Sequence, residues 1–427
     1  MNTNPSDIPF ALAQPRAKDQ SRRRALKTLG AASAGAGLLG SSLRSLAANA
    51  PAPKTVTLPF ANGEREMVTF PQKRPLILQT SRPPQLETPF EVFNEGLITP
   101  NDAFFVRYHW SGIPTDIKAE EFRLKISGLV DTPLDLSLDA LKQLGEPISL
   151  VAAHQCSGNS RGFFEPRANG GQLGHGAMGN AKWTGVSLKR VLEKAGIQKG
   201  AVQVSFNGMD KPPIDGGPDF VKALNIDHAL DGEVMLAWAM NDKDLPMLNG
   251  YPLRLIVPGY YGTYWVKHVN DIQVLDKIFD GFWMATAYRI PANDCACTPA
   301  GKGPTKTVPI NRFNTRSFIT SVQDGAKLKA GKEIVLRGIA FDGGQGIAEV
   351  SVSSDGGKTW QTAKLGEELS KYSFREWKAA FKPAKKGHYE LKVRAVNRAG
   401  QGQPIEALWN PAGYMRNVVE TVRVTAV

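Results

Sequence analysis

Three cysteines in 427 residues, Cys156, Cys295 and Cys297, are too few for a disulfide framework. None stands in a Cys-x-x-Cys-His motif, so the chain carries no attachment site for a c-type haem. No Cys/His group has the spacing of a zinc site. Past the leader-like first fifty residues, no apolar run approaches the ~20 residues of a membrane-crossing helix. Basic residues are plentiful, yet they form no stripe interleaved with aromatics, which argues against nucleic acid. There is no Ser/His/Asp arrangement, no internal repeat and no low-complexity segment after residue 50. What is abundant is Gly (42) and Pro (29) beside 42% hydrophobic and 22% charged residues. That is the composition of a loop-rich globular protein with much β structure.

The net charge is +12, and seven Lys/Arg against two Asp in residues 1–50 account for +5 of it, leaving +7. A basic remainder suits an anionic substrate or an acidic protein partner. The first fifty residues also read as an address. Ser21-Arg22-Arg23-Arg24-Ala25-Leu26-Lys27 resembles the twin-arginine export signal, with Ala25 in place of the usual Phe. A weakly apolar Gly/Ala stretch follows, and Ala48-Asn49-Ala50 offers a small-x-small cleavage pattern. The expectation is a removable leader over 1–50 and a periplasmic protein exported already folded, as cofactor-loaded proteins are.

The spacing of apolar residues predicts an α+β chain with a catalytic domain over 51–310 and a second domain over 311–427. Residues 51–100 are Pro-rich and read as extended and irregular. Strands are expected near 121–130, 201–206, 235–239, 253–257 and 271–274, with helices over 137–144 and 188–195. A Pro/Thr/Gly-rich crossover spans 291–315. Beyond it, short strands near 334–341, 347–353, 360–364, 374–381, 389–396 and 419–424 alternate with Asp-Gly-Gly and Arg-Ala-Gly turns. That rhythm predicts an immunoglobulin-like β-sandwich.

The most informative segment is Val151-Ala-Ala-His-Gln-Cys156-Ser-Gly-Asn-Ser-Arg161. A lone cysteine is more often a small buried hydrophobe, but here it follows an apolar strand and opens a turn of small polar residues. The segment resembles the metal-binding Cys-x-Gly-Asn-x-Arg loop of the sulfite oxidase family of molybdenum enzymes. Further matches follow in order. They are Phe104-Phe-Val-Arg107-Tyr-His109, Phe206-Asn-Gly-Met-Asp210, and Asn249-Gly-Tyr-Pro-Leu-Arg254 with Gly262-Thr263-Tyr264-Trp265-Val-Lys267. Trp283-Met-Ala-Thr-Ala-Tyr288 and Asp355-Gly-Gly-Lys-Thr-Trp360 complete the set. The resemblance runs from about residue 95 to the end and is nearest to bacterial periplasmic sulfite dehydrogenases that work with a cytochrome c.

That resemblance implies one molybdenum with one molybdopterin per chain, no haem in this chain, and Cys156 as the protein's metal ligand. A soft thiolate suits such a metal. It implies Arg254 and Lys267 on the molybdopterin phosphate, with backbone N–H groups of Gly262, Thr263, Tyr264 and Trp265 beside them. His109, Asp210 and Asn249 would hydrogen-bond the pterin. Arg107 and Arg161 would bind sulfite, and Tyr288 would sit by the metal and relay a proton. The reaction implied is oxygen-atom transfer from the metal centre to sulfur, with electrons leaving to a separate cytochrome c, as a dedicated subunit or a free protein. A homodimer is implied, and neither a membrane span nor a nucleic-acid partner. Three departures stand out. Leu173 replaces a pocket Trp of animal-type enzymes and is expected to loosen the pocket. Arg416 lies near the third pocket arginine but out of register. Asn249 stands for a His. Cys295 and Cys297 have no derived role, and their Cys-x-Cys spacing suits free thiols or an occasional disulfide. Rival readings are a thiosulfate-oxidising molybdenum subunit acting on protein-bound sulfane sulfur, a sulfoxide reductase and, from another class, a non-catalytic immunoglobulin-like binding protein.

Overall fold

The computed structural model describes residues 54–427. The twin-arginine-like segment and the 1–50 leader lie outside the described residues. The Pro-rich stretch after it is not irregular, as expected, but a sheet. Five strands, Thr55–Thr57, Glu64–Val68, Leu76–Ser81, Pro84–Glu87 and Val106–Arg107, pair in chain order. Proline is tolerated because Pro84 occupies the first position of its strand, where a missing N–H costs least. This sheet matters for the site because its last strand ends on Arg107.

Two further five-stranded sheets build the catalytic part. In one the order is Lys222–Asn225, Gln203–Gly208, Val269–Leu275, Arg123–Gly128, Leu134–Ser137. Its central pair is parallel, with Asp271 opposite Lys125, although the two strands are far apart in sequence. In the other, Ile148–Gln155 pairs antiparallel with Met178–Ser187 along its whole length. Met178–Ser187 in turn flanks Met235–Met240, which also pairs with Arg254–Ile256. Helices are few and short. Leu138–Lys142 is capped by the Ser137 hydroxyl, which accepts from Ala140 N–H at 3.1 Å. Leu188–Ala195 buries Leu188, Val191, Leu192 and Ala195, the one-face pattern of period 3.6.

Beyond the crossover, Arg316–Ile319, Ile334–Phe341, Arg375–Phe381 and Lys364–Leu365 form one sheet. Ala326–Leu328, Thr421–Ala426, Gly387–Asn397, Ile347–Ser353 and Gln361–Thr362 form the other. Leu336, Trp377 and Phe381 from the first share a core with Val350, Leu391 and Val393 from the second. The domain does not stand apart. Phe313, Phe318, Phe341, Tyr372 and Phe374 are buried in the catalytic core, not in their own. At roughly 2 kcal/mol for each large buried apolar side chain, that junction is too costly to expose. Among the described residues no helix is long and apolar enough to cross a membrane. Cys295 and Cys297 are joined as a disulfide, which settles the alternative of two thiols.

Candidate active site

Cys156 is the residue just past the strand Ile148–Gln155. Its N–H donates to the Ala177 carbonyl at 2.9 Å, and its own carbonyl accepts from Asn159 N–H at 3.0 Å. Ala177 N–H donates to the Asn159 amide oxygen at 3.0 Å. The loop is thus held by its neighbour strand, and the thiol stays free and half-buried. It opens on a cleft with about 510 Å³ of free space, mouth included. Arg107, His109, Cys156, Asp210, Arg254, Gly262, Thr263, Trp265, Lys267 and Tyr288, all anticipated from sequence, line it together with Phe105, Tyr108, His154, Ser157, Phe220 and Val266, which were given no role there. His154 is the one histidine among the latter. It lies two residues before Cys156, at the end of the strand that leads into it, and that period of two was the available signal.

The cleft is built for an anion. Arg254 is buried between Trp183 and Trp265, with its guanidinium carbon 5.4 and 5.9 Å from the two rings. It donates to the Asn249 carbonyl at 2.9 Å and faces His154, while its Nε has no partner among the described residues. The Thr263 and Ser157 hydroxyls are buried without partners as well. Lys267 donates to the Arg107 carbonyl at 2.9 Å and lies 3.5 Å from the centre of the Tyr108 ring. In the 262–265 turn, Tyr264 and Trp265 N–H are committed to the carbonyls of Tyr261 and Gly262. Only Gly262 and Thr263 can offer theirs. Gly262 must be glycine for a packing reason: a Cβ there would lie 2.4 Å from His154 Nε2.

Charge follows burial. Burial first, then the neighbouring Arg254, holds Lys267 well below the ordinary lysine range. Burial holds Arg254 down to about 9 and pushes Asp210 up to about 6. Burial and the charges of Arg107, Lys222 and Lys267 keep His109 neutral. The His109 Nε2 is hydrogen-bonded to the Tyr288 hydroxyl, which burial holds protonated. Tyr288 has a positive φ of 58°, rare for a bulky residue and a form of strain that gathers at working sites.

These shifts give a stability prediction. Lys73 and Lys222, also buried, titrate near 7 in the folded chain against about 10.4 unfolded. A folded pKa below the unfolded one means the unfolded chain binds more protons between the two, so stability rises with pH across about 7 to 10. Lys267 adds to the same trend. Asp210 costs stability as pH climbs from about 4 to 6 and nothing beyond. The ligand-free protein should therefore melt at a higher temperature at pH 9.5 than at pH 7. A bound phosphate would keep Lys267 charged and flatten the rise. Thermal scans of both forms in a pH series check this, and a ligand-free melting point that falls over that interval would contradict it.

Several expected residues stand elsewhere. Asn249 faces away from the cleft, accepting from Lys73 Nζ and donating to the Phe105 carbonyl at 3.1 Å. An amide so occupied braces the segment that carries Arg254. The Tyr264 hydroxyl is spent on the Ile310 carbonyl at 2.5 Å. Arg161 lies outside the cleft lining, donating to the Ala412 and Gly171 carbonyls at 2.9 and 3.1 Å. It still acts electrostatically on Tyr288. Leu173 is buried in the apolar core and does not line the cleft, so it does not loosen it. Arg416 is paired with Glu420.

Among the described residues no three His, Cys, Asp or Glu side chains gather as a metal site. A metal at Cys156 would need its other ligands from a cofactor. The molybdopterin that the resemblance implies fits the residues present. They offer one free thiol, an unpartnered Arg254 Nε, unpartnered Thr263 and Ser157 hydroxyls, and the side chains of Arg254 and Lys267 for a phosphate.

Comparison with known proteins agrees. Residues 110–283 match the oxidoreductase molybdopterin binding domain, and residues 307–427 match the Mo-co oxidoreductase dimerisation domain. The chain is 32% identical to mitochondrial sulfite oxidase of Drosophila melanogaster over 376 residues, covering 83% of this chain and 64% of that one. To mitochondrial sulfite oxidase of Rattus norvegicus it is 31% identical over 375 residues, covering 84% and 67%. The chain thus spans about two thirds of the length of these relatives. Its structure superposes on the sulfane dehydrogenase SoxCD from Paracoccus pantotrophus with a TM-score of 0.69 and 25% identity, covering 92% and 91% of the two chains.

Proposed function

Since this chain belongs to the sulfite oxidase family of molybdopterin oxidoreductases, we propose that it oxidises sulfite to sulfate in the periplasm and hands the electrons to a separate cytochrome c. The observation that carries this is the free Cys156 thiol at the head of a cleft lined by Arg107, Arg254 and Lys267. Arg254 and Lys267 would hold the cofactor phosphate, Asp210, Thr263 and His109 its pterin, and Cys156 the metal. When bound, the group supplies oxygen-atom transfer to sulfur and takes up two electrons.

The chain's own residues do the rest. Arg107 and Arg161 attract the anion. A unit charge pair at ~4 Å and an effective dielectric of ~20 gives about 4 kcal/mol before desolvation. Tyr288 is hydrogen-bonded to His109 Nε2, and because burial keeps the phenol protonated and the imidazole neutral, the pair holds Tyr288 in place as a hydrogen-bond donor beside the Cys156 thiol. Arg107→Met should raise KM for sulfite more than about tenfold, the loss of one charged hydrogen bond or more. Steady-state kinetics checks it, and an unchanged KM would remove Arg107 from the substrate side. We read the C-terminal sandwich as an immunoglobulin-like homodimerisation module.

A second reading has one observation in its favour, the likeness to sulfane dehydrogenase SoxCD, which points to sulfane sulfur as the substrate. One experiment separates the two: molybdenum analysis of purified protein together with cytochrome c reduction by free sulfite. About one molybdenum per chain with rapid reduction supports the proposal. Bound metal without sulfite turnover would favour sulfane sulfur. Rapid oxygen consumption in place of cytochrome reduction would make the chain an oxidase.

A further inference from the structure

The segment Asn410–Met415 belongs to the C-terminal domain by sequence but packs on the Cys156 loop. Met415 N–H donates to the Ser157 carbonyl at 3.1 Å, next to the thiol, and Arg161 Nε donates to the Ala412 carbonyl at 2.9 Å. The strap is rigid. The Asn410 side chain accepts from Tyr414 N–H at 3.1 Å and donates to the Tyr414 carbonyl at 2.8 Å. Gly413 has φ +58°, and a Cβ there would lie 2.7 Å from Ala168 Cβ and 2.8 Å from Arg161 Cγ. No side chain fits, so the strap is pressed against Arg161 by design of its backbone.

What the strap delivers is Tyr414. Its ring stacks on Tyr288, with planes 6° apart and centroids 5.4 Å apart. The Arg161 guanidinium carbon lies 5.2 Å from the Tyr414 centroid. Its hydroxyl makes no hydrogen bond to any described residue, while burial holds it protonated and Arg161, Arg107 and Cys156 all act on it electrostatically. A protonated phenol is a hydrogen-bond donor. Left unused on a ring fixed between Tyr288 and Arg161, it is a donor open to an anion. Arg416, two residues on, is no competitor, because Glu420 neutralises it.

We infer that Tyr414 is a substrate-binding residue that the C-terminal domain contributes to the site, positioned by Arg161 against its ring and donating its hydroxyl to the sulfur oxyanion that Arg107 holds. This rests on the sulfite-oxidising reading above. It makes Tyr414 also the size limit of the pocket, since its ring is fixed by Tyr288 on one face and Arg161 nearby.

The test uses holoenzyme with Tyr414→Phe, which keeps the ring, and Tyr414→Ala, which removes it. Molybdenum content and melting temperature are measured for both. Two readouts are taken: sulfite-dependent cytochrome c reduction, and the affinity for sulfate by calorimetric titration. Tyr414→Phe should raise KM for sulfite and Kd for sulfate together by about five- to tenfold, a lost hydrogen bond, with kcat within about twofold. Tyr414→Ala should weaken sulfate at least as much and improve turnover of thiosulfate relative to sulfite. Unchanged KM and Kd in Tyr414→Phe overturn the inference. A fall in kcat alone overturns it too, because that would be a structural effect. If wild-type holoenzyme fails to turn over sulfite, the sulfite reading falls, and the sulfate titration alone decides on Tyr414. Absence of sulfate binding to wild type overturns the inference as well.

Discussion

Cys156→Ser should stay folded and lose sulfite turnover by about a thousandfold or more, on the order of 4 kcal/mol of activation free energy. The fold is spared because the loop is held by backbone groups. The Cys156 N–H and carbonyl engage Ala177 and Asn159, and no bond runs through the sulfur. Activity is not spared, because a serine hydroxyl does not ionise near neutral pH and makes a poor replacement for a thiolate on a soft metal. Melting temperature should move by only a few degrees while cytochrome c reduction collapses. Turnover near the wild-type rate would remove Cys156 from the metal, and with it the main support for the proposed reaction.

Arg254→Met should abolish cofactor retention without unfolding the chain. Arg254 is 1% exposed, and its guanidinium stands between two tryptophans and has an unpartnered Nε. In the ligand-free protein it is a buried charge held below its ordinary range, so its removal is close to neutral or stabilising. In the loaded protein it would contribute two or more charged hydrogen bonds of roughly 1.5–3 kcal/mol each. Affinity for the cofactor should therefore fall by two orders of magnitude or more. Purified Arg254→Met should contain less than about a tenth of the wild-type molybdenum and pterin, with an unchanged or higher ligand-free melting temperature. Full occupancy would place the phosphate elsewhere.

How much of this was legible in the sequence varied with locality. Ile334–Phe341 and Ile347–Ser353 appear at the residues expected, because alternation and an Asp-Gly-Gly turn are local signals. The sheet over Thr55–Arg107 was hidden by its prolines, whose damage is confined to strand starts and turns. In the site, Cys156, Arg107, Arg254 and Lys267 were readable from motifs that fix both residue and backbone. Arg161, Asn249 and Leu173 were named correctly as residues of those segments, but their directions depend on partners that no motif contains. Arg161 answers to Ala412, 251 positions away. Tyr414 was missed for the same reason: the nearby resemblance concerned Arg416, and the ring's own partners, Tyr288 and Arg161, lie far away in sequence.

The parallel pairing of Arg123–Gly128 with Val269–Leu275 has a consequence for how the molecule is made. During synthesis the first strand emerges long before its partner. The 140 or so residues between them take on the order of ten seconds at the ribosome's pace of ~5–20 residues per second. For that interval the strand has only Leu134–Ser137 beside it, and its other edge is open to any neighbour. The cleft walls come from positions 105 to 288, and the strap that packs on the Cys156 loop ends at Met415. The cleft is therefore complete only after the strand Val269–Leu275 and Tyr288 have both left the ribosome.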